Sequence, residues 1–358
     1  MKEKTTSPLV SIVVPVYNMG EKLENSVLSL LKQTYKEVEI ILIDDGSKDN
    51  SLCVCQSLAD KDERVLVYHT ENRGSGPARN EGIAHSNGKY IYFPDADDVL
   101  DTKAIEILVD SAESSNADVI VFGYQTVNSS GEVVSIKKYK NVIIKGEDAR
   151  KNYLDFSTNE RPFTIQGAPW NKFFRMEIIS KYQVEYPSLR RHQDEAFIAR
   201  YITNVETIQF IDDILYTYFE NDLGRQWDKY PVTYIDDVVG LYNDRKNNML
   251  SWCENDDSLH EQVYGGHIAR VIKALELSFS PKYGFNKAER MKWIKDAIKK
   301  SEVLIIPEPK QMGKYQKIAL KLMKSGKMQN LYSLLHLKVI IEKNGKLKVV
   351  KQLFGMVK

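Results

Sequence analysis

The chain has few cysteines and no long uninterrupted apolar segment. Of its 358 residues three are cysteines, and Cys53 and Cys55 lie two positions apart. This pattern matches neither the even number of a disulfide framework nor the repeated pairs of a zinc site, so we expect reduced thiols in the cytosol. No apolar run approaches the roughly 20 residues of a membrane-spanning helix, and the polar segment Met1–Pro8 lacks the apolar core of a secretory signal. The sequence therefore predicts a protein that is soluble or lies on a membrane surface.

The chain also lacks an excess of either charge, although its charges are unevenly distributed. The net charge is +1, but residues 310–358, the basic tail, contain twelve Lys and one acidic residue, Glu342. A nucleic-acid binder carries its basic residues along the element that reads the groove, and an acidic body with a short basic end does not fit that description. We therefore expect no nucleic-acid partner, and an anionic partner for the basic tail alone.

Short apolar runs alternate with amphipathic stretches over the first hundred residues. The apolar runs predict buried strands over Leu9–Pro15, Val38–Asp44, Val65–His69 and Lys89–Phe93. Helical spacing of apolar residues predicts helices over Leu23–Leu31, Leu52–Ala59 and Ala78–His85. This alternation predicts an α/β fold with a Rossmann-like, mostly parallel sheet and helices on both faces.

The pattern changes after residue 118. It predicts strands over Asp118–Tyr124, Glu132–Tyr139 and Ile208–Phe219, a hairpin turn at Asn128–Gly131, and helices over Trp170–Lys181 and Asp194–Thr203. From about residue 225 the pattern is helical throughout. We therefore expect a domain over residues 1–222 and a C-terminal helical region over residues 223–358 that includes the basic tail.

Polar residues that could bind a ligand or a metal ion follow directly after predicted strands. Ligands of a parallel sheet bind at the carboxyl ends of its strands, where Tyr17, Asp44–Gly46, Asn72–Gly74 and Asp95–Asp98 are expected to meet. Carboxylates such as Asp95 and Asp97 are hard oxygen ligands, which suit Mg²⁺ or Mn²⁺ shared with a diphosphate. The alternative interpretation is an acidic turn that caps the helix beginning near Thr102.

The glycine-rich segment Asn72–Gly76 leads into a predicted helix. Free backbone N–H groups at a helix start can receive a phosphate. The segment lacks the Gly-Lys-Ser/Thr ending of a Walker loop and the glycine spacing of a dinucleotide site. Arg79, one turn into the helix, is either a donor contact or a surface charge.

Taken together, several segments resemble the inverting glycosyltransferases of family 2. In order, within residues 8–220, these are Ser11-Ile-Val-Val-Pro-Val-Tyr-Asn18, Ile43-Asp-Asp-Gly-Ser47, Asn72-Arg-Gly-Ser-Gly-Pro-Ala-Arg-Asn80, Pro94-Asp-Ala-Asp-Asp98, Trp170-Asn-Lys172 and Asp194-Glu195. The resemblance implies a GT-A fold, with a nucleotide-sugar half over about 1–98 and an acceptor half over about 99–222. It implies transfer of a sugar from a nucleotide diphosphate to a hydroxyl of a glycan or lipid-linked glycan acceptor of the cell surface.

The resemblance implies that Pro15, Tyr17 and Asp45 form the nucleoside site and that Asp95 faces the donor sugar or ribose. Arg79 joins these residues as a donor contact. An aromatic ring at Tyr17 can stack on a base, and a carboxylate at Asp45 can accept the imide N–H of uracil or thymine. This favours a UDP sugar or a dTDP sugar as donor. A plain turn is the alternative reading of the segment around Asp45.

The resemblance also implies a metal ligand and a catalytic base. Asp97 is expected to bind Mn²⁺ or Mg²⁺ directly, and Asp194 to take the proton of the acceptor hydroxyl. The family has a Glu-Asp pair where this chain has Gln193 and Asp194, so the usual acidic neighbour of the base is a neutral amide here. The alternative is a helix start rich in acids. His192 is expected to be structural or orienting.

Two further positions of the family pattern are ambiguous in this chain. Trp170-Asn-Lys172 resembles a segment that packs beneath the donor sugar, although a Trp at this point is also typical of a core. Near Tyr218 the family often has a basic residue, whereas Phe219 and Glu220 follow here. Arg225 is the candidate substitute for pyrophosphate contact.

The basic tail mixes Lys with Leu and Ile at helical spacing. Such helices either lie on an anionic membrane surface, which would bring the site to a lipid-linked acceptor, or pack on helices of the protein itself. We expect a cytoplasmic protein, peripheral on the inner face of the cell membrane if the tail binds lipid.

Two other functions compete with sugar transfer. Sugar nucleotidyltransferases share the sheet architecture, but their Gly-x-Gly-Thr-Arg entry after the first strand is replaced here by Pro15-Val-Tyr-Asn18. A non-catalytic sugar-nucleotide or partner-binding module would be favoured by loss of Asp97 or Asp194, and both residues are present. Sugar transfer is therefore the leading hypothesis.

Overall fold

The computed structural model describes residues 7–151, 165, 167–220, 230–252 and 257–343. The chain divides into two compact units, Met1–Asp222 and Leu223–Lys358. The described part of the first unit combines a sheet with helices, and that of the second is helical. The predicted α/β class with a C-terminal helical region is confirmed.

Ten strands of the first unit form one mixed sheet. They are β1 (Val10–Val16), β2 (Val38–Asp45), β3 (Val65–Thr70), β4 (Tyr90–Tyr92), β5 (Val99–Leu100), β6 (Val119–Val127), β7 (Val133–Lys137), β8 (Val142–Lys145), β9 (Lys172–Arg175) and β10 (Thr207–Phe219). Their order is β3-β2-β1-β4-β9-β6-β10-β5, with β7 beside β6 and β8 beside β10. The pairs β1–β2, β2–β3, β1–β4 and β6–β10 are parallel, so the carboxyl ends of the first four strands share one edge.

Seven helices are described in the first unit. They are α1 (Lys22–Leu31), α2 (Ser51–Ala59), α3 (Ser75–His85), α4 (Ala104–Ser115), α5 (Gly146–Lys151), α6 (Met176–Tyr182) and α7 (Gln193–Ile202). The apolar runs of β1 and β2 are buried throughout their centres, as their composition predicts for strands covered on both faces. Leu23, Val27 and Leu30 of α1 are buried with them, so helical spacing identified the inner face of this helix.

The helix predicted over Trp170–Lys181 is wrong in its first part. Lys172–Arg175 is the strand β9, which pairs antiparallel with both β4 and β6, and the helix begins at Met176. The rings of Phe173 and Tyr90 stack with centroids 5.0 Å apart across the strand pair. The pattern of a short apolar run is compatible with a strand or with a helix. Here the run forms a strand because it pairs with β4 on one side and β6 on the other.

The described helices of the second unit are α8 (Tyr234–Asn248), α9 (Asp257–Leu277), α10 (Lys287–Lys300), α11 (Lys314–Lys324) and α12 (Met328–Lys343), with short 3-10 turns at Leu250–Trp252 and Pro281–Tyr283. The capping box at the start of α10 is complete, because Asn286 accepts from the Glu289 N–H and Glu289 accepts in return. Within the described ranges, no helix combines the length and apolar character needed to cross a bilayer.

Candidate active site

The loops after β1, β2 and β3 are tied together at the carboxyl edge of the sheet. The Asn18 N–H donates to Ser47 Oγ at 3.0 Å, and the Lys48 N–H donates to Asn18 Oδ1 at 2.8 Å. Gly46 has φ +68°, and a Cβ there would lie 2.7 Å from the Asn72 nitrogen. Only glycine allows this approach, which brings the glycine-rich segment against the end of β2.

Asp45 fastens the glycine-rich segment to the sheet. Its side chain is buried, and its two oxygens accept the N–H groups of Arg73 and Gly74, each at 2.8 Å. Each carboxylate oxygen has a second lone pair, so Asp45 keeps acceptor capacity for a further donor. Pro15 lies in β1, the strand next to β2, which ends at Asp45. Tyr17 directly follows β1 and is 38% exposed, so its ring is accessible for stacking.

The neighbouring Asp44 has a different environment. It is fully buried, its Oδ2 lies 2.7 Å from His69 Nδ1, and the same oxygen accepts the Ser47 N–H at 3.3 Å. Asp44 therefore stabilises the turn after β2 through Ser47, and its buried carboxylate is not accessible at the carboxyl edge of the sheet.

Arg79 joins the two carboxylates for which the family resemblance implies donor binding and catalysis. Its Nη2 donates to Asp95 Oδ1 at 2.7 Å, and its Nη1 donates to Asp194 Oδ1 at 2.9 Å. Only 3% of the Arg79 side chain is exposed, and its guanidinium lies 5.4 Å from the centre of the Tyr186 ring. The residue predicted as a donor contact or a surface charge is a buried link between two site carboxylates.

Desolvation and the charge of Arg79 have opposite effects on the pKa values of Asp95 and Asp194. About a third of each side chain, 33%, stays accessible. Burial raises the pKa of Asp95 to about 6, against the lowering effect of Arg79. Burial likewise raises the pKa of Asp194, while Arg79 lowers it. A carboxylate held in this way is a better proton acceptor than an exposed one.

Asp98 has a structural role that the sequence did not reveal. The side chain is buried and accepts the Tyr216 hydroxyl at 2.6 Å and the Phe219 N–H at 2.8 Å. The Tyr216 oxygen in turn accepts the Asp95 N–H at 3.1 Å. These contacts fasten the acidic segment after β4 to the end of β10, and burial raises the pKa of Asp98 to about 8.

A cavity of about 750 Å³ opens beside Asp97. Its walls include α1, the turn around residues 128–131, and Phe219 and Glu220 at the end of β10. The cations that line it are Lys22, at the start of α1, and Lys32, directly after α1. Arg225, the candidate for pyrophosphate contact, lies outside the described residues.

The acidic segment offers a partial coordination sphere for a divalent cation. Over the described ranges, no three His, Cys, Asp or Glu side chains are grouped closely enough to hold a metal by themselves. Asp97 faces the cavity, whereas the Asp98 oxygens already accept hydrogen bonds. Mg²⁺ and similar ions are often bound through one or two carboxylates together with substrate phosphates. The residues present fit that mode of binding.

At the start of α7 the adjacent acidic residues point to different partners. Asp194 accepts from Arg79, whereas Glu195 Oε1 lies 2.8 Å from His192 Nδ1. Gln193 Nε2 donates to Ser75 Oγ at 2.9 Å and so joins α7 to the start of α3. His192, expected to be structural or orienting, contacts Glu195.

Trp170 belongs to an aromatic cluster within the first unit. Its ring stacks on Tyr216 at 4.9 Å and on Tyr218 at 5.8 Å, and it meets Tyr124 edge to face at 4.6 Å. Lys172, two residues on, has a side chain that is almost fully buried. A buried lysine has no signal in the local sequence, because lysine is mostly a surface residue.

Comparison with known proteins identifies the family. The family model described as glycosyl transferase family 2 matches residues 11–182. Glycosyltransferase GlyG of Streptococcus pneumoniae serotype 4 is 32% identical over an alignment of 247 residues that covers 66% of this chain and 79% of that protein. The cholesterol galactosyltransferase of Borreliella burgdorferi is 27% identical over 215 residues, and this chain spans 60% of its length.

A solved structure has the same fold. Residues 1–349 of S. aureus TarS, crystallised with UDP-GlcNAc, match with a TM-score of 0.64 at 19% identity, over 94% of this chain and 92% of that one. The predicted GT-A fold is thereby confirmed. The chain belongs to glycosyltransferase family 2, and the prediction of a glycosyltransferase is confirmed.

Proposed function

We propose that the protein transfers a sugar from a UDP sugar, with a dTDP sugar as the alternative, to a hydroxyl of a cell-surface glycan precursor with inversion. The observation that carries the proposal is Arg79, which donates to Asp95 at 2.7 Å and to Asp194 at 2.9 Å. One buried guanidinium thus joins a proposed donor contact to the proposed base, and both carboxylates stay partly accessible. In this proposal residues 1–98 bind the nucleotide sugar and residues 99–222 bind the acceptor.

Asp194 acts as the general base of the proposed reaction. Its carboxylate takes the proton of the acceptor hydroxyl while the acceptor oxygen forms a bond to the anomeric carbon. The bond between that carbon and the diphosphate breaks, and its electron pair leaves with UDP. Attack from the face opposite the diphosphate inverts the configuration of the sugar.

The proposal assigns Asp97 as the protein ligand of Mn²⁺ or Mg²⁺. When bound, such an ion supplies a Lewis acid that neutralises charge on the departing diphosphate. The half-buried position of Asp97 on the wall of a 750 Å³ cavity supports this assignment, because a diphosphate needs both room and access. Lys22 and Lys32 add positive charge to the same cavity.

The proposed nucleoside site consists of Pro15, Tyr17 and Asp45. Two features support it: the exposed ring of Tyr17 at the end of β1, and the remaining acceptor capacity of Asp45 at the end of β2. The fold likeness to a protein crystallised with UDP-GlcNAc is consistent with a uridine nucleotide.

A screen of nucleotides tests this function. UDP and UDP sugars are expected to bind at least about tenfold more tightly than ADP or CDP, since a site that hydrogen-bonds one base edge leaves polar groups unpaired with another. Calorimetry measures the affinities, and release of UDP from each UDP sugar with acceptor identifies the donor. Equal affinity for all three diphosphates would remove the role of Asp45 and Tyr17. Binding without any transfer or hydrolysis would favour the non-catalytic module.

We further propose that the basic tail holds the enzyme at the anionic inner face of the cell membrane, next to a lipid-linked acceptor. The helix α11 buries Tyr315, Ala319, Leu320 and Met323 within the second unit, so part of its apolar face packs on the protein. The Lys residues of α11 at positions 314, 317, 321 and 324 are exposed. Ile318 of α11 is 44% exposed and Leu337 of α12 is 51% exposed, so the basic tail also presents apolar side chains. Residues 344–358 of the tail lie outside the described ranges.

Vesicle co-sedimentation tests the membrane proposal. The protein is expected to sediment with anionic vesicles at low salt and to be released at high salt, since each Lys near such a surface contributes about 1 kcal/mol. The double variant Lys317→Glu and Lys321→Glu should bind less, and Lys295→Glu with Lys299→Glu on α10 is the matched control. Protein that remains in the supernatant with anionic lipid at low salt would show that the tail is packing surface only.

A further inference from the structure

Lys172 is a buried lysine at the start of β9. Its side chain is 1% exposed, and its Nζ donates to the Ala168 carbonyl at 2.6 Å and to Asn171 Oδ1 at 2.7 Å. Both acceptors are neutral oxygens, which do not by themselves balance a buried ammonium. The carboxylate whose charge favours protonated Lys172 is that of Asp194.

Lys172 also anchors the turn that precedes β9. Besides the Nζ contact with Ala168, the Lys172 backbone N–H donates to the Pro169 carbonyl at 3.0 Å. The turn lies directly against the first turn of α7, because a Cβ at Gly167 would lie 2.6 Å from Glu195 Cγ. The ammonium is therefore linked through one short turn to the helix start that carries Asp194.

Several charged or titratable groups surround Asp194, and their effects differ in sign. They are Arg79 on α3, Asp95 after β4, Lys172 on β9, Tyr186, and His192 and Glu195 beside Asp194 itself. Burial raises the pKa of Asp194, Glu195 adds to this increase, and Arg79, Lys172 and His192 oppose it. Of the opposing groups, Arg79 and Lys172 are the two whose side chains are almost fully buried.

We propose that Lys172 is a positioning residue for sugar transfer, which fixes the turn over residues 167–171 against α7 and supplies, in addition to Arg79, a buried positive charge that keeps Asp194 ionised. The inference rests on the proposed function of Asp194 as the base. Lys172 does not line the cavity beside Asp97, so its contribution to donor binding is expected to be small. Burial lowers the pKa of Lys172 itself to about 7, and Asp194 opposes this decrease, as expected for two groups that interact.

The test compares Lys172→Gln, which keeps an N–H donor without the charge, and Lys172→Met, which removes both. For each folded variant, kcat is measured against pH, and the Kd for UDP is measured by calorimetry. We expect the acidic limb of the kcat profile to move upward by about one pH unit in Lys172→Gln, with the Kd for UDP within about twofold of wild type. Lys172→Met should show the same shift and a lower plateau, because the turn is released as well.

The matched control is Lys89→Met, since Lys89 is a half-exposed lysine that pairs with Glu113 next to β4. It should keep the wild-type pH profile. A wild-type profile in folded Lys172→Gln, or an equal loss of UDP affinity and kcat in that variant, would overturn the positioning role.

A readout without turnover separates this inference from the proposed function. The carboxyl pKa of Asp194, followed by NMR, should rise in Lys172→Gln and stay unchanged in Lys89→Met. If wild-type protein transfers no sugar, the proposed function fails, yet the NMR titration still decides whether Lys172 acts on Asp194. An unchanged titration would overturn the inference even in an active enzyme.

Discussion

Asp194→Asn is expected to lower kcat for sugar transfer by roughly 10²–10⁴-fold while the Kd for UDP stays nearly unchanged. Asparagine keeps the shape of aspartate and can still accept from Arg79, so the site geometry should persist. It cannot take a proton at neutral pH, so the step that depends on the base is lost. Initial rates with saturating donor and acceptor measure kcat, and calorimetry measures the Kd for UDP.

Glu195→Gln is the matched control for the base. Glu195 lies one position further along α7, which turns it by about 100°. Its carboxylate contacts His192, whereas that of Asp194 accepts from Arg79. This variant should retain most of the transfer activity. If Glu195→Gln loses activity and Asp194→Asn keeps it, the base has been assigned one residue too early.

The pH dependence of the same reaction is expected to follow from the buried position of the base. Burial raises the pKa of Asp194, so its reactive, deprotonated form is lost as the pH falls through a value above that of an exposed aspartate. The acidic limb of kcat should therefore lie at higher pH than an exposed carboxylate would give, and Asp194→Asn should abolish this limb in the residual rate.

Asp97→Ala is expected to abolish sugar transfer with wild-type thermal stability, because a half-exposed carboxylate beside a cavity contributes little to packing. The physical reason is loss of the ligand that would hold Mn²⁺ or Mg²⁺ against the diphosphate. Chelation with EDTA should have the same effect on the wild-type enzyme, and addition of Mn²⁺ or Mg²⁺ should restore its activity. The measurements are UDP release and the melting temperature.

Asp101→Ala is the matched control for Asp97→Ala. Asp101 is an exposed aspartate four positions on, and its side chain accepts the Lys103 N–H at 2.9 Å ahead of α4. This variant should retain transfer activity. Equal donor affinity and full turnover of the wild-type enzyme in EDTA would contradict the metal assignment, whatever the behaviour of Asp97→Ala.

The sequence by itself determined the first half of the sheet and the edge at which the candidate site lies. Strands β1 to β4 were predictable because each is a short apolar run bounded by turn residues. The burial predicted for Val65–His69 was wrong, because β3 lies at the edge of the sheet and is mostly only partly buried. The placement of Tyr17, Asp45 and Asp97 was predictable for the same reason as the strands, since polar residues at the ends of parallel strands collect at one edge of the sheet, and their roles stay predictions. The family was also recognisable, because its motifs occur in order along the chain.

Only the tertiary structure decided the placement and the contacts of the remaining residues. Lys172–Arg175 is a strand because it pairs with both β4 and β6. The local sequence pattern does not show which strands will lie beside it. Arg79 and Asp194 are 115 positions apart, and Asp98 and Tyr216 are 118 apart, yet each pair is joined by a hydrogen bond. Whether a charged residue is a surface group or a buried link depends on which distant elements cover it, and that is fixed by packing of the whole unit.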